Sequence, residues 1–229
     1  TLFEGIRHLM PGHLARIDRK GCTESRWWSL ADQEAETRTE GDWISAFNET
    51  LDDAVRLRLR SDVPFGAFLS GGVDSSTVVG MMSRHMTEPV NTYAIGFHEE
   101  RFDESPYAAR AAELFGTRHT LQKVDADMLD LWPLAVWHCD QPHGDVSFLP
   151  TYRVAQLAAR EVKVVLTGDG GDELFAGYDK HRNFFSRPAA AEASDAEFRR
   201  AYHANLSLFD EAAKRTLYTA TLSRQISDI

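Results

Sequence analysis

The sequence is poor in the features that define several protein classes. It has only two cysteines in 229 residues, Cys22 and Cys139, which stand far apart without metal-ligand spacing. That excludes a disulfide framework and predicts a reducing, cytoplasmic setting. No apolar run is long enough to span a membrane, and residues 1–4 do not begin a signal peptide. Basic residues are in deficit, 25 against 35 acidic ones, and the formal charge of −10 disfavours nucleic acid as a partner.

A glycine turn between an apolar run and a helical segment is the most informative pattern present. The run Pro64–Leu69 ends in Ser70-Gly71-Gly72, and a segment of helical character extends from Asp74 to about Met86. Such a turn directs backbone N–H groups and the positive end of a helix dipole at one point, which predicts a bound anion, most simply a phosphate. The competing interpretation is a plain glycine-rich turn in which Asp74 or Ser75 caps the helix.

Two better-known motifs do not fit this turn. Gly72-Val73 occupy the positions where a Walker A loop needs Lys-Ser/Thr, and Phe68 replaces the first glycine of a hydrolase nucleophile elbow around Ser70. The missing lysine matters because Asp74 then faces phosphate without a basic neighbour. That placement is repulsive unless a divalent cation lies between the two groups.

The same pattern of strand, glycine turn and helix recurs later in the chain. Val162–Leu166 is followed by Thr167-Gly168-Asp169-Gly170-Gly171-Asp172-Glu173 and by the helical segment Leu174–Tyr178. Strands of a parallel α/β sheet place their carboxyl ends at one edge, where ligands bind. Both turns are therefore expected at one crevice, with Asp74, Asp169 and Asp172 as candidate magnesium ligands.

Together these stretches resemble a known family. The stretch Ser70–Ser76 is similar to the pyrophosphate-binding loop of the ATP pyrophosphatases, and with Thr167–Tyr178 it resembles the synthetase domain of the glutamine-hydrolysing asparagine synthetases. Two more stretches, Phe102–Ala108 and Asp140–Tyr152, are similar to that family in order and spacing. The resemblance covers about residues 1 to 185.

The resemblance implies an architecture. We expect an α/β fold with a doubly wound, mostly parallel sheet of the adenine-nucleotide alpha hydrolase-like type, a short N-terminal β-hairpin and a C-terminal helical appendage. Residues 1–36 would be a hairpin linker from the end of a glutaminase half, with its strands at Leu14–Asp18 and Ser25–Trp28. Residues 42–185 would be the synthetase core, and 186–229 a truncated helical segment of the same domain, with one helical patch at Ala212, Leu217 and Leu222. Because the chain lacks an initiator Met, we also expect it to be a piece of a longer protein.

The resemblance also implies a reaction and a site. ATP would adenylate the β-carboxylate of aspartate, and ammonia supplied by an N-terminal glutaminase domain would displace AMP to give asparagine. Asp74, Asp169 and Asp172 would be the catalytic residues, and magnesium would be held by Asp74 and Asp172. Asp140 would lie near the amino-acid pocket, and the question of a homodimer stays open. The residues expected to bind the nucleotide are Leu69, Ser70, Gly71, Gly72, Val73, Asp74, Ser75, Ser76, Ile95 and Gly168, of which Leu69, Ile95 and Gly168 would contact the base.

Three departures from the family pattern limit this expectation. The glutaminase half with its N-terminal cysteine is not in the sequence, many members carry Glu where Asp169 stands, and a lysine that stabilises the transition state lies beyond Ile229 in the family. We therefore expect these residues to bind Mg-ATP at most. Alternatives are a related amidotransferase or β-lactam-type synthetase that adenylates another carboxylate, and a non-catalytic ATP-binding module.

Periodicity predicts the surrounding elements. Ile44, Phe47, Leu51, Val55 and Leu59 form one stripe of a helix that packs on the sheet. In the helix that begins near Phe102, the side chains of Tyr107, Ala111 and Leu114 are predicted to face inward, with Gly116 as the stop. Asp103 and Glu104 are either structural acids at that helix start or ligands near the ribose or metal, and the sequence leaves both open. The helix over 127–138 is predicted either to bend or to restart at Pro133.

Overall fold

The computed structural model of the protein describes residues 1–33, 36–142, 144–187, 194–207, 209 and 211–219. The chain divides into two compact units, Thr1–Gly168 and Asp169–Ile229. The loop residue His143 and the predicted helical position Leu222 lie outside the described residues. The predicted boundaries near residues 36, 42 and 185 stay predictions.

The first unit begins with the predicted β-hairpin. Strand β1 (His13–Asp18) pairs antiparallel with β2 (Gly21–Arg26), and the register Asp18↔Gly21 leaves a two-residue turn. The second strand was expected at Ser25–Trp28, which is wrong. It begins earlier because Gly21, at φ +131°, resumes the extended ladder directly after the turn.

A four-stranded sheet forms the centre of the first unit. Its strands are β3 (Phe65–Phe68), β4 (Asn91–Phe97), β5 (Arg118–Val124) and β6 (Val164–Leu166). They run in the order β5-β4-β3-β6, and every pairing is parallel. All four carboxyl ends therefore point to one edge, as the expected α/β class requires.

Helices cover the sheet on both faces. They are α1 (Glu40–Arg58), α2 (Val73–His85), α3 (Ser105–Phe115), α4 (Trp132–His138) and α5 (Phe148–Ala158). Successive residues of a strand point to opposite faces, so the contacts of β3 show which helices cover each face of the sheet. Ala67 packs in a core cluster with residues of α1, α2 and α3, whereas Phe68 packs against Leu157 and Ala158 of α5. The sheet is therefore doubly wound, which confirms the predicted fold class.

Two predicted helix faces differ from the observed ones. In α1, which starts at a Thr39 capping box, Val55 is buried, but Ile44 and Phe47 at the other end of the stripe are exposed. In α3, Ala111 is buried as predicted, whereas Tyr107 and Leu114 are exposed. The buried face of α3 consists of the small residues Ser105, Ala108, Ala111 and Ala112. Small side chains let α3 approach the sheet closely. A search for large apolar residues at helical spacing does not find this buried face.

Two helix ends lie where a glycine or a proline indicates them. Gly116 ends α3 in the left-handed conformation at φ +61°, as predicted. Pro133 lies in the first turn of α4, which follows a 3-10 turn at Leu129–Leu131, so the proline begins a helix rather than bending one.

The second unit is helical where it is described. It contains α6 (Gly171–Phe175), α7 (Asp179–Phe185), α8 (Asp195–Leu206) and α9 (Glu211–Leu217). Aromatic rings join α7 to α8: Phe184 packs edge-on against Phe198 and Tyr202, with centroids 5.6 and 5.2 Å away. His181, buried between the rings of Tyr178 and Tyr202, belongs to the same cluster. No helix among the residues described in either unit combines the length and apolar content needed to cross a bilayer.

Candidate active site

The first glycine loop, Ser70–Ser76, follows β3 and opens α2. Its serines hold it in shape: Ser70 Oγ lies 3.0 Å from Ser75 Oγ and accepts from Gly72 N at 3.3 Å, and Ser75 Oγ donates to Gly72 O at 3.3 Å. The N-cap of α2 is Gly72, and no side chain caps this end. The interpretation of Asp74 or Ser75 as an ordinary cap is therefore wrong, since Asp74 is in the first helical turn and Ser75 bonds within the loop.

Gly71 brings this loop against α3. Its φ of +83° belongs to the left-handed region, and an added Cβ would lie 2.5 Å from Ala108 N and 2.6 Å from Tyr107 Cβ. Both the conformation and the close approach require glycine here. The first turn of α3 consequently forms the back of the loop.

The second glycine loop begins beside the first. Strand β6 pairs with β3 in the register Ala67↔Leu166, so the loops leave adjacent strands at the same edge of the sheet. Two residues after β6, Gly168 packs so closely on α2 that a Cβ would lie 2.6 Å from Ser75 N and 2.9 Å from Asp74 Cβ. The first unit thus joins Gly168 to the first loop, and the chain enters the second unit at Asp169.

A cavity of about 230 Å³ opens beside Ser70 at the carboxyl ends of β3 and β4. Of the three residues predicted to contact a base, Leu69 and Ile95 line it, whereas Gly168 packs on α2 and is not part of the lining. Leu69 is fully buried and its backbone N–H donates to Tyr93 O at 3.0 Å. The remaining lining is mostly apolar and comes from β3, β4, the 3-10 turn Glu100–Phe102, the start of α3 and α5. These lining residues are Phe68, Ser70, Tyr93, Ala94, Phe97, Phe102, Glu104, Ala108, Pro150, Thr151 and Val154.

The structure separates the two acids that the sequence left undecided. Asp103 accepts hydrogen bonds from Phe97 N and Ser105 N, each at 3.2 Å, and pairs with Lys123. The Lys123 ammonium, followed by the Ser105 hydrogen bonds, holds the pKa of Asp103 well below its usual range. Glu104 is exposed and is the one acid among the described residues that line the cavity. Asp103 is therefore structural, and Glu104 is the acid available to a ligand.

Two ionisable side chains near β4 are perturbed by burial. His119 Nδ1 lies 3.0 Å from Thr92 Oγ1, and burial lowers the pKa of this imidazole. Thr92 is level with Ala67 and precedes the carboxyl end of β4, so His119 lies away from the cavity. Burial, reinforced by the Glu161 carboxylate that accepts from its hydroxyl at 3.0 Å, raises the pKa of Tyr93 to about 12. Tyr93 thus lines the cavity as a neutral ring.

The second unit carries the acids of the second loop. Asp169 is exposed, and Asp172 lies half-buried in the one-turn helix α6. Gly177 N returns to bond Asp172 O at 3.1 Å, and a Cβ on Gly177 would lie 2.9 Å from Asp172 Cγ. The Tyr178 hydroxyl donates to Glu173 at 2.5 Å and lowers the pKa of that carboxyl. Gly177 thus leaves the space that the Asp172 carboxylate occupies.

The described residues contain no group of three or more His, Cys, Asp or Glu side chains placed to hold a metal ion. The predicted magnesium site is of another kind, since this ion is commonly held by one or two carboxylates together with nucleotide phosphates. Asp74 suits that role: its side chain is half-buried at the start of α2 and has no polar partner among the described residues. Magnesium binding by Asp74 and Asp172 stays a prediction.

Sequence reasoning missed the Asp103–Lys123 pair and most of the cavity wall. The two charges lie 20 positions apart on different elements, so only the adjacency of β4 and β5 brings them together. One signal was available: Gly96, inside a strand pattern, marks a place where another group approaches the backbone closely.

Comparison with known proteins supports the family suggested by the motifs. The chain matches the asparagine synthase family over residues 46–228. A protein of Methanocaldococcus jannaschii, provisionally named asparagine synthetase (glutamine-hydrolyzing) 2, is 42% identical over 170 residues, which are 73% of this chain and 32% of that protein. Asparagine synthetase (glutamine-hydrolyzing) 1 of Bacillus subtilis is 31% identical over 80% of this chain and 29% of its own length. Amidase chyE of Penicillium rubens is 34% identical over 80% of this chain and 30% of its own length.

The chain thus spans about a third of the length of these relatives. Among solved structures, an NH3-dependent NAD synthetase from Campylobacter jejuni aligns with a TM-score of 0.40 and 15% identity over 58% of this chain and 60% of that one, a likeness too distant to support an argument. The family match covers far more than half of the sequence and includes both glycine loops. The chain therefore belongs to the asparagine synthase family.

Proposed function

We propose that this chain is the ATP-using synthetase domain of a glutamine-dependent asparagine synthetase. The reaction would adenylate the β-carboxylate of aspartate, release pyrophosphate, and form asparagine and AMP when ammonia attacks. One observation carries the proposal: the first glycine loop and the start of the second pack together at one edge of the sheet, beside an apolar cavity. That edge is where open α/β sheets bind their ligands.

The cavity suits the base of the nucleotide. Its volume of about 230 Å³ lies below the roughly 300–1,000 Å³ of pockets that enclose a whole drug-sized ligand. It therefore has room for one ring system, with Leu69 and Ile95 against the ring. Gly168, which the resemblance also assigns to the base, packs on α2 and is not part of the cavity lining. The phosphates would extend from Ser70 across the first glycine loop, where the uncapped N-terminus of α2 favours an anion.

The acids complete the site in this proposal. Asp74 at the start of α2 and Asp172 in α6 supply carboxylate oxygens, the ligand type that magnesium prefers. The ion would neutralise charge that develops on the pyrophosphate leaving group. Asp169 would orient the reacting groups, and the loop N–H groups would hold the leaving group in place. Positioning and electrostatics carry such a transfer, so no strongly perturbed acid or base is required.

The proposed amino-acid pocket and the proposed source of ammonia are assigned by resemblance to the family. Asp140, proposed to lie near the amino-acid pocket, has φ +59°, an unusual conformation for a residue other than glycine and one that occurs often at functional sites. Ammonia would be supplied by a glutaminase domain of the longer protein. A cytoplasmic location and a homodimer belong to the same set of proposals.

A second candidate is the adenylation of a different carboxylate. Amidase chyE is as similar to this chain as the Bacillus synthetase is, at 34% against 31% identity over 80% of the chain in both cases. The similarity of this chain therefore extends to proteins whose names do not refer to asparagine. The cavity, the glycine loops and the acids would serve either acceptor equally.

Nucleotide binding tests the site. Isothermal titration of Mg-ATP should give a saturable signal with the wild-type chain and lose it with Asp74→Ala. Asp62→Ala is the matched control, because Asp62 is exposed and makes no polar side-chain contact within the described residues. If Mg-ATP does not bind the wild type, or binds Asp74→Ala as well as Asp62→Ala, the proposed site is wrong. Carboxylate-dependent ATP–pyrophosphate exchange by the full-length protein, with aspartate among the acids supplied, then separates the two candidates.

A further inference from the structure

The carboxylate of Asp103 joins three segments around the cavity. It accepts from Phe97 N at the end of β4 and from Ser105 N at the start of α3, each at 3.2 Å. It also pairs with the Lys123 ammonium of β5. Lys123 Nζ donates in addition to Phe97 O at 3.2 Å, so both backbone polar groups of Phe97 are held by the same pair of charges.

Gly96 makes room for this arrangement. A Cβ at this position would lie 2.7 Å from Asp103 Oδ1, 2.9 Å from Ser105 Cβ and 3.0 Å from Lys123 Cδ. Any side chain here would push the carboxylate or the start of α3 away from the sheet. The ion pair is also partly shielded, since only 13% of the Asp103 side chain is exposed. A shielded, geometrically fixed pair is more strongly coupled than an exposed one.

The joined segments are walls of the cavity. Ile95 and Phe97 contribute the β4 side, and Glu104 and Ala108 contribute the α3 side. Ala108 also backs Gly71 in the first glycine loop. A change in the distance between the end of β4 and the start of α3 would therefore alter the width of the cavity.

We infer that the Asp103–Lys123 pair is a positioning device for the nucleotide base. It fixes the end of β4 against the start of α3 and so sets the spacing between the walls that hold the ring. This inference rests on the proposed function only in assigning the cavity to a base. Asp103 and Lys123 act here through Phe97 and α3, not by touching the ligand.

The test removes the ammonium and keeps the aliphatic stem. Titration calorimetry would compare Lys123→Met with Lys163→Met. Lys163→Met is the control because Lys163 is exposed and lies at the amino end of β6, away from the carboxyl ends of the strands where the cavity opens. We expect Lys123→Met to bind Mg-ATP and AMP about tenfold more weakly, a change of about 1.4 kcal/mol. Pyrophosphate affinity should fall by less than AMP affinity does, because pyrophosphate does not touch the cavity walls that the pair holds at a fixed spacing. Lys123→Arg should restore nucleotide affinity because it restores the cation.

The possible results distinguish failure of the positioning role from failure of the proposed function. If the wild type binds Mg-ATP and Lys123→Met binds it as tightly as Lys163→Met does, the positioning role is wrong and the proposed function stands. An equal loss of AMP and pyrophosphate affinity also overturns the role, because it indicates general loosening of the fold. If the wild type binds none of these ligands, the proposed function and this inference both fail. Should Lys123→Met not fold, as judged by circular dichroism, Asp103→Asn replaces it, since the amide keeps the Oδ1 acceptor but loses the charge.

Discussion

Replacing Gly71 by alanine tests the contact between the first glycine loop and α3. Two effects oppose a side chain there: the backbone is left-handed at φ +83°, and the new Cβ would lie 2.5 Å from Ala108 N. The neighbouring atoms are mostly backbone, which cannot turn aside as a flexible side chain could. The loop or the start of α3 must therefore move.

The chain offers a control that separates the two effects. Gly116 is also left-handed, at φ +61°, but a Cβ on it would meet nothing within 4 Å. A left-handed conformation costs a non-glycine residue about 1–2 kcal/mol, so this is the loss of stability expected for Gly116→Ala. Overpacking adds about 1–3 kcal/mol, which gives about 2–5 kcal/mol for Gly71→Ala.

Urea unfolding followed by circular dichroism measures both variants, and linear extrapolation gives the change in the free energy of unfolding. Mg-ATP titration on the same samples should show weakened binding for Gly71→Ala and unchanged binding for Gly116→Ala, which lies at the far end of α3. If the two variants lose the same stability and both bind Mg-ATP normally, the loop does not depend on α3 and the reasoning fails.

Three other variants test separate parts of the structure. Gly168→Ala should weaken Mg-ATP binding by about tenfold or more, equivalent to about 1.4 kcal/mol, because its Cβ would meet the α2 backbone at 2.6 Å, whereas Gly144→Ala, with open space around it, should bind normally in the same titration. Burial lowers the pKa of His119 below its ordinary 6.5, so the unfolded chain binds that proton more readily and stability should fall as the pH drops below about 6.5. Urea unfolding at pH 7.5 and 5.5 should show this loss in the wild type and a smaller loss in His119→Asn. Tyr93 has the opposite dependence: its folded pKa of about 12 exceeds the ordinary 10.0, so stability is lost as the pH rises above 10. In the same unfolding assay, Tyr93→Phe should remove that loss, and at pH 7 it should cost about 1 kcal/mol of stability because the hydrogen bond to Glu161 is gone.

The parallel sheet and the first glycine loop could be predicted because their signals are local. The run Pro64–Leu69 followed by Ser70-Gly71-Gly72 leaves few alternatives to a buried strand and a tight turn, and the structure has both. Gly116 was likewise readable as a helix stop. In each case a backbone requirement acts directly on the residue type at one position.

The helix faces and cavity walls could not be predicted because they depend on what each element packs against. Tyr107 and Leu114 have the spacing of a buried stripe, yet α3 turns its small residues to the sheet and leaves both exposed. The role of Asp103 was undecidable from its own surroundings, because its main partner, Lys123, comes from the next strand. Such contacts are set by sheet order, which no single segment contains.

One physical feature connects the parts that were predicted with those that were missed. Near the carboxyl ends of β3, β4 and β6 stands a glycine whose missing Cβ admits a neighbour: Gly71 admits α3, Gly96 admits the Asp103 carboxylate, and Gly168 admits the first turn of α2. This edge of the sheet is therefore assembled by close approach of backbone and a fixed carboxylate rather than by large side chains. A sequence reveals such an edge through its glycines, while the residues that fill the space stay hidden until the strands are in order.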